Sequence, residues 1–231
     1  MSNRIHPTAV LGPEVELGDN NVIGPFTVIQ GPVVIGDDNF IASHVSIGGA
    51  AEVHGHIYGP SWDEALGEGG ITIGDRNILK EFVTVNTGWQ DRTIIGNDTM
   101  LMGKAHLGHD AHVGDRVTIS CAVLVGGHTV IEDDATVGLG AALHQRLTIG
   151  AASMTGMQAA VTRDVPPFTI AMGAPARPTR LNMFRLDKLG VGPANHEPLA
   201  AIVLGEETDL DLIDAELRGP VRAWLDRRER A

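Results

Sequence analysis

Aliphatic side chains recur along this chain at a step of six. They stand at Leu11, Leu17, Ile23, Ile29, Ile35, Ile41 and Ile47, and five of these seven are followed by Gly (Gly12, Gly18, Gly24, Gly36, Gly48). A second run occupies Ile73, Leu79 and Val85. A third holds the step from Ile95 through Leu101, Leu107, Val113, Ile119, Val125, Ile131, Val137, Leu143 and Ile149 to Val161, interrupted only by Thr155. Two residues before each position of the third run stands Ala, Ser, Thr or Val, except for Leu147. A helix repeats every 3.6 residues and a simple strand every two, so neither accounts for a sustained six. One short strand plus one turn does. Three such units close a triangular coil, and coils stack at strand spacing of roughly 4.8 Å. The pattern predicts an all-β solenoid, a parallel β-helix whose narrow prism takes one aliphatic and one small residue per hexad. The recurrent Gly is expected at corners that need unusual backbone angles.

Two insertions interrupt the lattice. Residues 48–72 carry His54, His56, Tyr58, Trp62, Asp63 and Glu64, and residues 86–94 form a shorter excursion. Excursions from a solenoid tend to gather on one binding face. After Asp164-Val165-Pro166-Pro167 the hexads stop, so the β-helix is expected over residues 1–170 and a small helical cap over 171–231. Within that cap, Thr179 to Leu189 reads as a helix. A second is expected from Thr208, an acceptable N-cap, through Leu212, Ile213, Leu217, Val221 and Trp224, with a break near Gly219-Pro220.

Composition sharpens this picture. Gly is 29 of 231 residues, and Trp, Tyr and Phe together number nine, which suits a prism too narrow for rings. A net charge of −12 argues against a nucleic-acid binder, which needs a basic footprint. No apolar run is long enough for a membrane span, and Met-Ser-Asn-Arg-Ile-His-Pro lacks the apolar stretch of a secretory signal. The single Cys121 excludes an internal disulfide framework. A cytoplasmic protein is expected.

The lattice also makes a spatial prediction. Leu107, Val125 and Leu143 are spaced by 18, so they lie above one another. His109, His128 and His144 follow them by two, three and one residues, and His106 precedes Leu107. Four of the ten histidines therefore gather near one corner. Imidazole titrates near neutral pH, so such a cluster suits proton transfer or metal binding. Asp110 follows His109 and could orient a basic ring.

The segments Ile5-His6-Pro7-Thr8-Ala9, Ile73-Gly74-Asp75-Arg76-Asn77, Ala105-His106-Leu107-Gly108-His109-Asp110, Gly126-Gly127-His128, Leu143-His144-Gln145 and Asp164-Val165-Pro166-Pro167-Phe168 resemble the acyl-carrier-protein-dependent UDP-N-acetylglucosamine O-acyltransferases of lipid A biosynthesis. The resemblance covers most of residues 5–190. It implies a left-handed β-helix and a homotrimer with active sites in clefts between subunits. His109 would be the general base, Asp110 its support, and the Gly127 N–H the oxyanion donor. His106, His128, His144, Gln145 and Asn182 would contact substrate. No bound cofactor or metal is implied; the co-substrate is a thioester of acyl carrier protein or coenzyme A, and the acceptor a nucleotide-linked sugar.

Departures from the family pattern bear on the acceptor. The 48–72 region is about one coil shorter. Gly55 and Ile57 stand where the family has Asp and Lys, Lys188 and Leu189 replace an Arg pair, and Thr84-Val85-Asn86 replaces Thr-Ile-His. The C-terminal cap is also shorter. Catalytic residues match while nucleotide recognition differs, so a different nucleotide-linked or amino sugar is expected. On the donor side, Arg177, Arg180, Arg185 and Lys188 form a basic cluster suited to an acidic carrier or to phosphates. Met157 aligns with a position that limits acyl length, which implies a short- to medium-chain donor. Three other readings stand beside this one. They are acetyl-coenzyme-A-dependent N-acetylation of an amino sugar, a zinc enzyme resembling gamma carbonic anhydrases with His106, His109 and His128 as ligands, and a non-catalytic trimeric scaffold.

Overall fold

A computed structural model describes residues 2–54 and 69–228. Its strands, two or three residues long for the most part, stack into three flat parallel sheets that face one another across a triangular core. The first face begins Arg4–Ile5, Val22–Ile23, Phe40–Ile41; the second Val10–Leu11, Val28–Ile29, Ser46–Gly49; the third Val15–Leu17, Val33–Ile35, Ile71–Ile73. Pairing steps by 18 residues, as in Val22↔Phe40, except at the insertions. Phe40 pairs with Ile78 and Ile78 with Met100, steps of 38 and 22. The lattice resumes in register after both excursions, with one local shift where Asn86 pairs with Gly49. The chain is a left-handed parallel β-helix of hexapeptide repeats.

The inward hexad residues form one continuous core. Ile23, Ile41, Leu79, Leu101, Leu107, Val125 and Ile131 are all at most 1% exposed. Thr155, the single irregularity in the pattern, is buried too, so the register persists through it.

The role of the recurrent Gly differs from expectation. The left-handed corner conformation falls on the residue three after most inward aliphatics, and it is rarely Gly. Phe26, His44, Asp110, His128 and Arg146 all have φ between 57° and 62°. Gly one after the aliphatic instead marks close approach of successive coils. A Cβ on Gly24 would lie 2.7 Å from the Ala42 carbonyl carbon, and one on Gly138 would lie 2.6 Å from the Thr155 oxygen. Backbone contact, not backbone angle, requires glycine at these two positions, whereas Gly48 has φ of 90°.

Corner amides that cannot join a sheet find side chains. The Asn39 N–H donates to Asn21 Oδ1 (2.9 Å), the Asn77 N–H to Asn39 Oδ1 (2.8 Å) and the Thr99 N–H to Asn77 Oδ1 (2.8 Å). This buried ladder runs up the edge between the third and first faces and satisfies donors that would otherwise be orphaned.

The C-terminal part departs from the reading in three ways. Residues 179–181 belong to a strand, Ala176–Leu181, that pairs antiparallel with Thr169–Gly173 and closes the first face. The division expected at residue 170 falls inside that hairpin. The first helix, α1, is only Met183–Lys188, because Asn182 accepts from the Arg185 N–H and caps it there. A helix α2 spans His196–Val203, and α3 runs Ala215–Arg228 straight through Pro220. Leu217, Val221 and Trp224 anchor α3 on both sides of the proline. No helix among the described residues is long and apolar enough to cross a membrane.

Candidate active site

Stacking the hexads places the end of the second face and its corner in consecutive coils. Leu107, Val125 and Leu143 pair in register, so His109, Gly127 and Gln145 follow at one edge. The His128 N–H donates to the His109 carbonyl (2.9 Å) and the Arg146 N–H to the Gly127 carbonyl (3.0 Å). The outward residues His106, Leu124 and Ala142 pave the adjoining face. Together they line a groove of about 560 Å³ that also includes Glu52, His109, Gly127, His144 and Gln145.

At its base the His109 Nδ1 lies 2.6 Å from Asp110 Oδ2. Asp110 is fully enclosed. Its Oδ1 accepts the backbone N–H groups of Trp89 (2.9 Å), Gln90 (2.8 Å) and Asp91 (2.6 Å), and its own N–H donates to Thr93 Oγ1 (2.9 Å). Burial pushes the Asp110 carboxyl up, but the His109 bond and the three amides outweigh it and hold the pKa below the ordinary value. An ionised Asp110 can only accept, so the proton of a neutral His109 sits on Nδ1. The Nε2 lone pair is then free toward the groove. A Cβ on Gly127 would lie 2.6 Å from that Nε2, so only glycine lets ring and backbone approach this closely. Among the described residues no acceptor takes the Gly127 N–H.

The neighbouring histidines serve differently. His128 stands edge-on to His109, with centroids 5.1 Å apart, and its Nε2 is 3.4 Å from Asp110 Oδ2. His106 Nδ1 is 2.8 Å from Thr84 Oγ1, and its Nε2 is 3.6 Å from Glu52. His144 is exposed on the groove wall. Desolvation lowers the pKa of both His106 and His128. Their neutral forms are therefore favoured by folding, and the unfolded chain binds more protons between the folded and unfolded pKa values. That contribution to stability is complete at and above pH about 7 and is lost as pH falls through 6.5 toward the folded values. In a histidine NMR titration both rings should protonate below pH 6.5; midpoints above 6.5 would contradict this.

Not every expected residue reaches the groove. Asn182 is buried under the first coil of the cap, donating to the Ala152 carbonyl (2.9 Å), and it acts there as a helix cap. Met157 is 68% exposed at the edge between the first and second faces, across the second face from His109. Arg177 and Arg180 are exposed on the closing strand, whereas Arg185 pairs with Asp134 (3.5 Å) and Lys188 lies over the Phe184 ring (4.8 Å). Gly55, Ile57 and the other loop residues from His56 to Glu64 lie outside the described residues.

A metal reading also changes. His106 is held by Thr84 and Glu52, and the compact trio is His109, Asp110 and His128, with potential ligand atoms within 4.8 Å. Asp110 already accepts four hydrogen bonds, and His109 spends Nδ1 on it. The hydrogen bonds to Asp110 fix the orientation of the His109 ring and leave its Nε2 uncommitted. Reasoning from the sequence missed the 89–91 amides and Thr93. Their signal was available: an insertion four residues longer than the lattice needs lies one coil from His109.

Comparison with known proteins gives the chain its family. Residues 14–49 match the hexapeptide repeat of bacterial transferases (six repeats). The acyl-[acyl-carrier-protein]–UDP-N-acetylglucosamine O-acyltransferase of Saccharophagus degradans is 45% identical over 199 residues, covering 80% of this chain and 77% of that one. Its counterpart in Paraburkholderia phytofirmans is 38% identical over 206 residues, covering 83% and 78%. The solved UDP-N-acetylglucosamine acyltransferase of Bacteroides fragilis superimposes with TM-score 0.77 at 25% identity, over 94% of this chain and 95% of that one. By this likeness the chain belongs to the acyl-[acyl-carrier-protein]–UDP-N-acetylglucosamine O-acyltransferase family.

Proposed function

We propose that the groove at His109 transfers an acyl group from a thioester of acyl carrier protein to a hydroxyl of a UDP-linked amino sugar. The observation that carries this is the pairing of an oriented imidazole with an adjacent amide. His109 lines the groove, its tautomer is set by Asp110, and the Gly127 backbone packs closely against its Nε2. The Nε2 takes the hydroxyl proton as the sugar oxygen bonds to the thioester carbon. The Gly127 N–H donates to the oxyanion of the tetrahedral intermediate. As the C–S bond breaks, the imidazolium returns its proton to the sulfur, leaving an ester and a thiol. Asp110 stabilises the imidazolium between these steps. His106, His128, His144 and Gln145 surround the acceptor.

The relatives' names supply UDP-N-acetylglucosamine and acyl carrier protein as substrates. The changed loop residues of this chain support a related nucleotide amino sugar as the acceptor. Incubating the purified protein with a set of nucleotide sugars and acyl thioesters, with products read by mass spectrometry, tests both. Ester formation on a nucleotide sugar is expected; acylation only of an amine would favour the N-acetyltransferase reading.

The distribution of residues over two edges supports a trimer with sites between subunits. His109 and Met157 flank opposite sides of the second face, where Leu124 and Ala142 offer an apolar track. An acyl chain attacked at one edge would end at the other. Met157→Gly is expected to raise kcat/KM for long-chain donors by about tenfold relative to short ones. Equal chain-length profiles for the two proteins would remove Met157 from this role. Arg177 and Arg180 are exposed cations suited to meet an acidic carrier. A cytoplasmic setting goes with these substrates.

A further inference from the structure

The groove at His109 carries an uneven charge. Among the described residues that line it, Glu52 is the one carboxylate, and neither Lys nor Arg is present. Asp110 lies at its base and is spent on His109 and the amides of residues 89–91. A UDP-linked acceptor brings negative charge of its own, so an acid beside its sugar opposes binding unless it meets a cation. Stability gives no reason for the acid. The Glu52 side chain is 73% exposed, and an ion pair that wet contributes little to a fold.

The chain nevertheless holds Glu52 in place. Gly49, at the end of the strand Ser46–Gly49, pairs with Asn86, and its carbonyl accepts the Thr87 N–H (2.8 Å). Ala51 is fully buried, and its carbonyl accepts the Val53 N–H (2.9 Å). Residue 52 is thus fixed at the groove wall, where its Oε2 lies 3.6 Å from His106 Nε2. The other side of that ring is taken by Thr84, whose Oγ1 is 2.8 Å from Nδ1. Burial holds the His106 pKa below its ordinary value, and the Glu52 charge offsets this only in part. A neutral imidazole leaves the carboxylate without counter-charge. With the ring proton on Nδ1 and donated to Thr84, Nε2 offers a lone pair. The groove then presents two acceptors 3.6 Å apart, one of them ionised.

We propose that Glu52 and His106 bind a free ammonium group of the acceptor, which makes the acceptor a nucleotide-linked sugar with an uncapped amine. The proposal rests on the acyl-transfer reading of the groove. An ammonium carries three N–H donors together with the positive charge that Glu52 otherwise lacks. An acetamido group offers one N–H and no charge, and a hydroxyl offers one O–H. Holding the amine as ammonium also decides where the acyl group goes. Its nitrogen has no lone pair and cannot attack the thioester, so the hydroxyl that gives its proton to His109 remains the nucleophile. Glu52 thereby selects the acceptor and keeps the product an ester.

Calorimetric titration at neutral pH with UDP-glucosamine, whose amine is free, and with UDP-N-acetylglucosamine, whose amine is capped, isolates the contribution at issue. The free amine is expected to tighten binding by at least about tenfold. Glu52→Gln keeps the shape of the side chain and removes its charge, so the ratio of the two affinities should fall to about one. In turnover the same variant should raise KM for UDP-glucosamine by about tenfold, with most of the loss recovered at saturating acceptor. Equal affinities in the parent, or tighter binding of the capped sugar, would overturn the proposal. A preference for the free amine that survives Glu52→Gln would overturn it as well, by placing recognition of the cation elsewhere. His109→Ala should abolish turnover and retain the preference, so a failure of the amine reading is told apart from a failure of the catalytic one.

Discussion

Replacing His109 by alanine is expected to lower kcat by about 10²- to 10⁴-fold, the contribution a positioned general base makes to proton transfer. The fold should persist. His109 follows the inward Leu107 rather than joining the core, and its backbone carbonyl still accepts the His128 N–H after truncation. Substrate KM should change little, because the ring acts on the reacting proton and the neighbouring side chains hold the sugar. Steady-state kinetics with a saturating thioester, alongside a thermal melt, checks both parts. A variant that kept activity within about fivefold of the parent would remove His109 from the role of base.

Asp110→Asn is expected to cost a similar factor, about 10²- to 10⁴-fold in kcat, for a different reason. Asn is nearly isosteric, and its carbonyl oxygen can still receive the amides of Trp89, Gln90 and Asp91. Its NH₂ group then faces His109 Nδ1, which must become the acceptor. The ring proton moves to Nε2, and the lone pair that should take the sugar's proton is gone. The stabilising charge beside the imidazolium disappears at the same time. Asp110→Ala removes the acceptor altogether and leaves the part-buried amides of Trp89, Gln90 and Asp91 without it, so it should lower stability as well as rate. The comparison separates orientation from scaffolding. The asparagine variant should be near-native in melting and poor in turnover, whereas the alanine variant should be poor in both. Full activity in the asparagine variant would show that the carboxylate does not set the tautomer.

Much of this architecture was legible in the residues. A strict step of six with small residues two positions earlier leaves few ways to bury the aliphatic side chains, so prism, strand stacking and the meeting of His106, His109, His128 and His144 followed from arithmetic. Elements lacking that period were harder. Residues 176–181 carry Arg177, Pro178 and Arg180, a composition that suits a helix or an edge strand about equally, and only pairing with Thr169–Gly173 decides it. Pro220 looks like a break until Leu217, Val221 and Trp224 are seen packing on both sides of it. Local propensity was overridden by tertiary contact in both cases.

The site divides along the same line. His109 and Asp110 are side-chain chemistry and can be read as letters. The amides of residues 89–91 act through backbone donors, which carry no identity in a sequence. Asn182 shows the opposite difficulty. The resemblance implies a substrate contact there, and within this chain the side chain bonds the Ala152 carbonyl and caps the start of α1. The glycines misled in a third way, since their spacing resembles turn chemistry while their function is clearance between coils.

A crystal structure of the protein with its O-acylated nucleotide sugar bound tests the central arrangement most directly. The account predicts the ester's sugar oxygen within hydrogen-bonding reach of His109 Nε2, roughly 2.6–3.2 Å, and its carbonyl oxygen facing the Gly127 N–H. A product seated with its ester remote from both, at another edge of the prism, would contradict it.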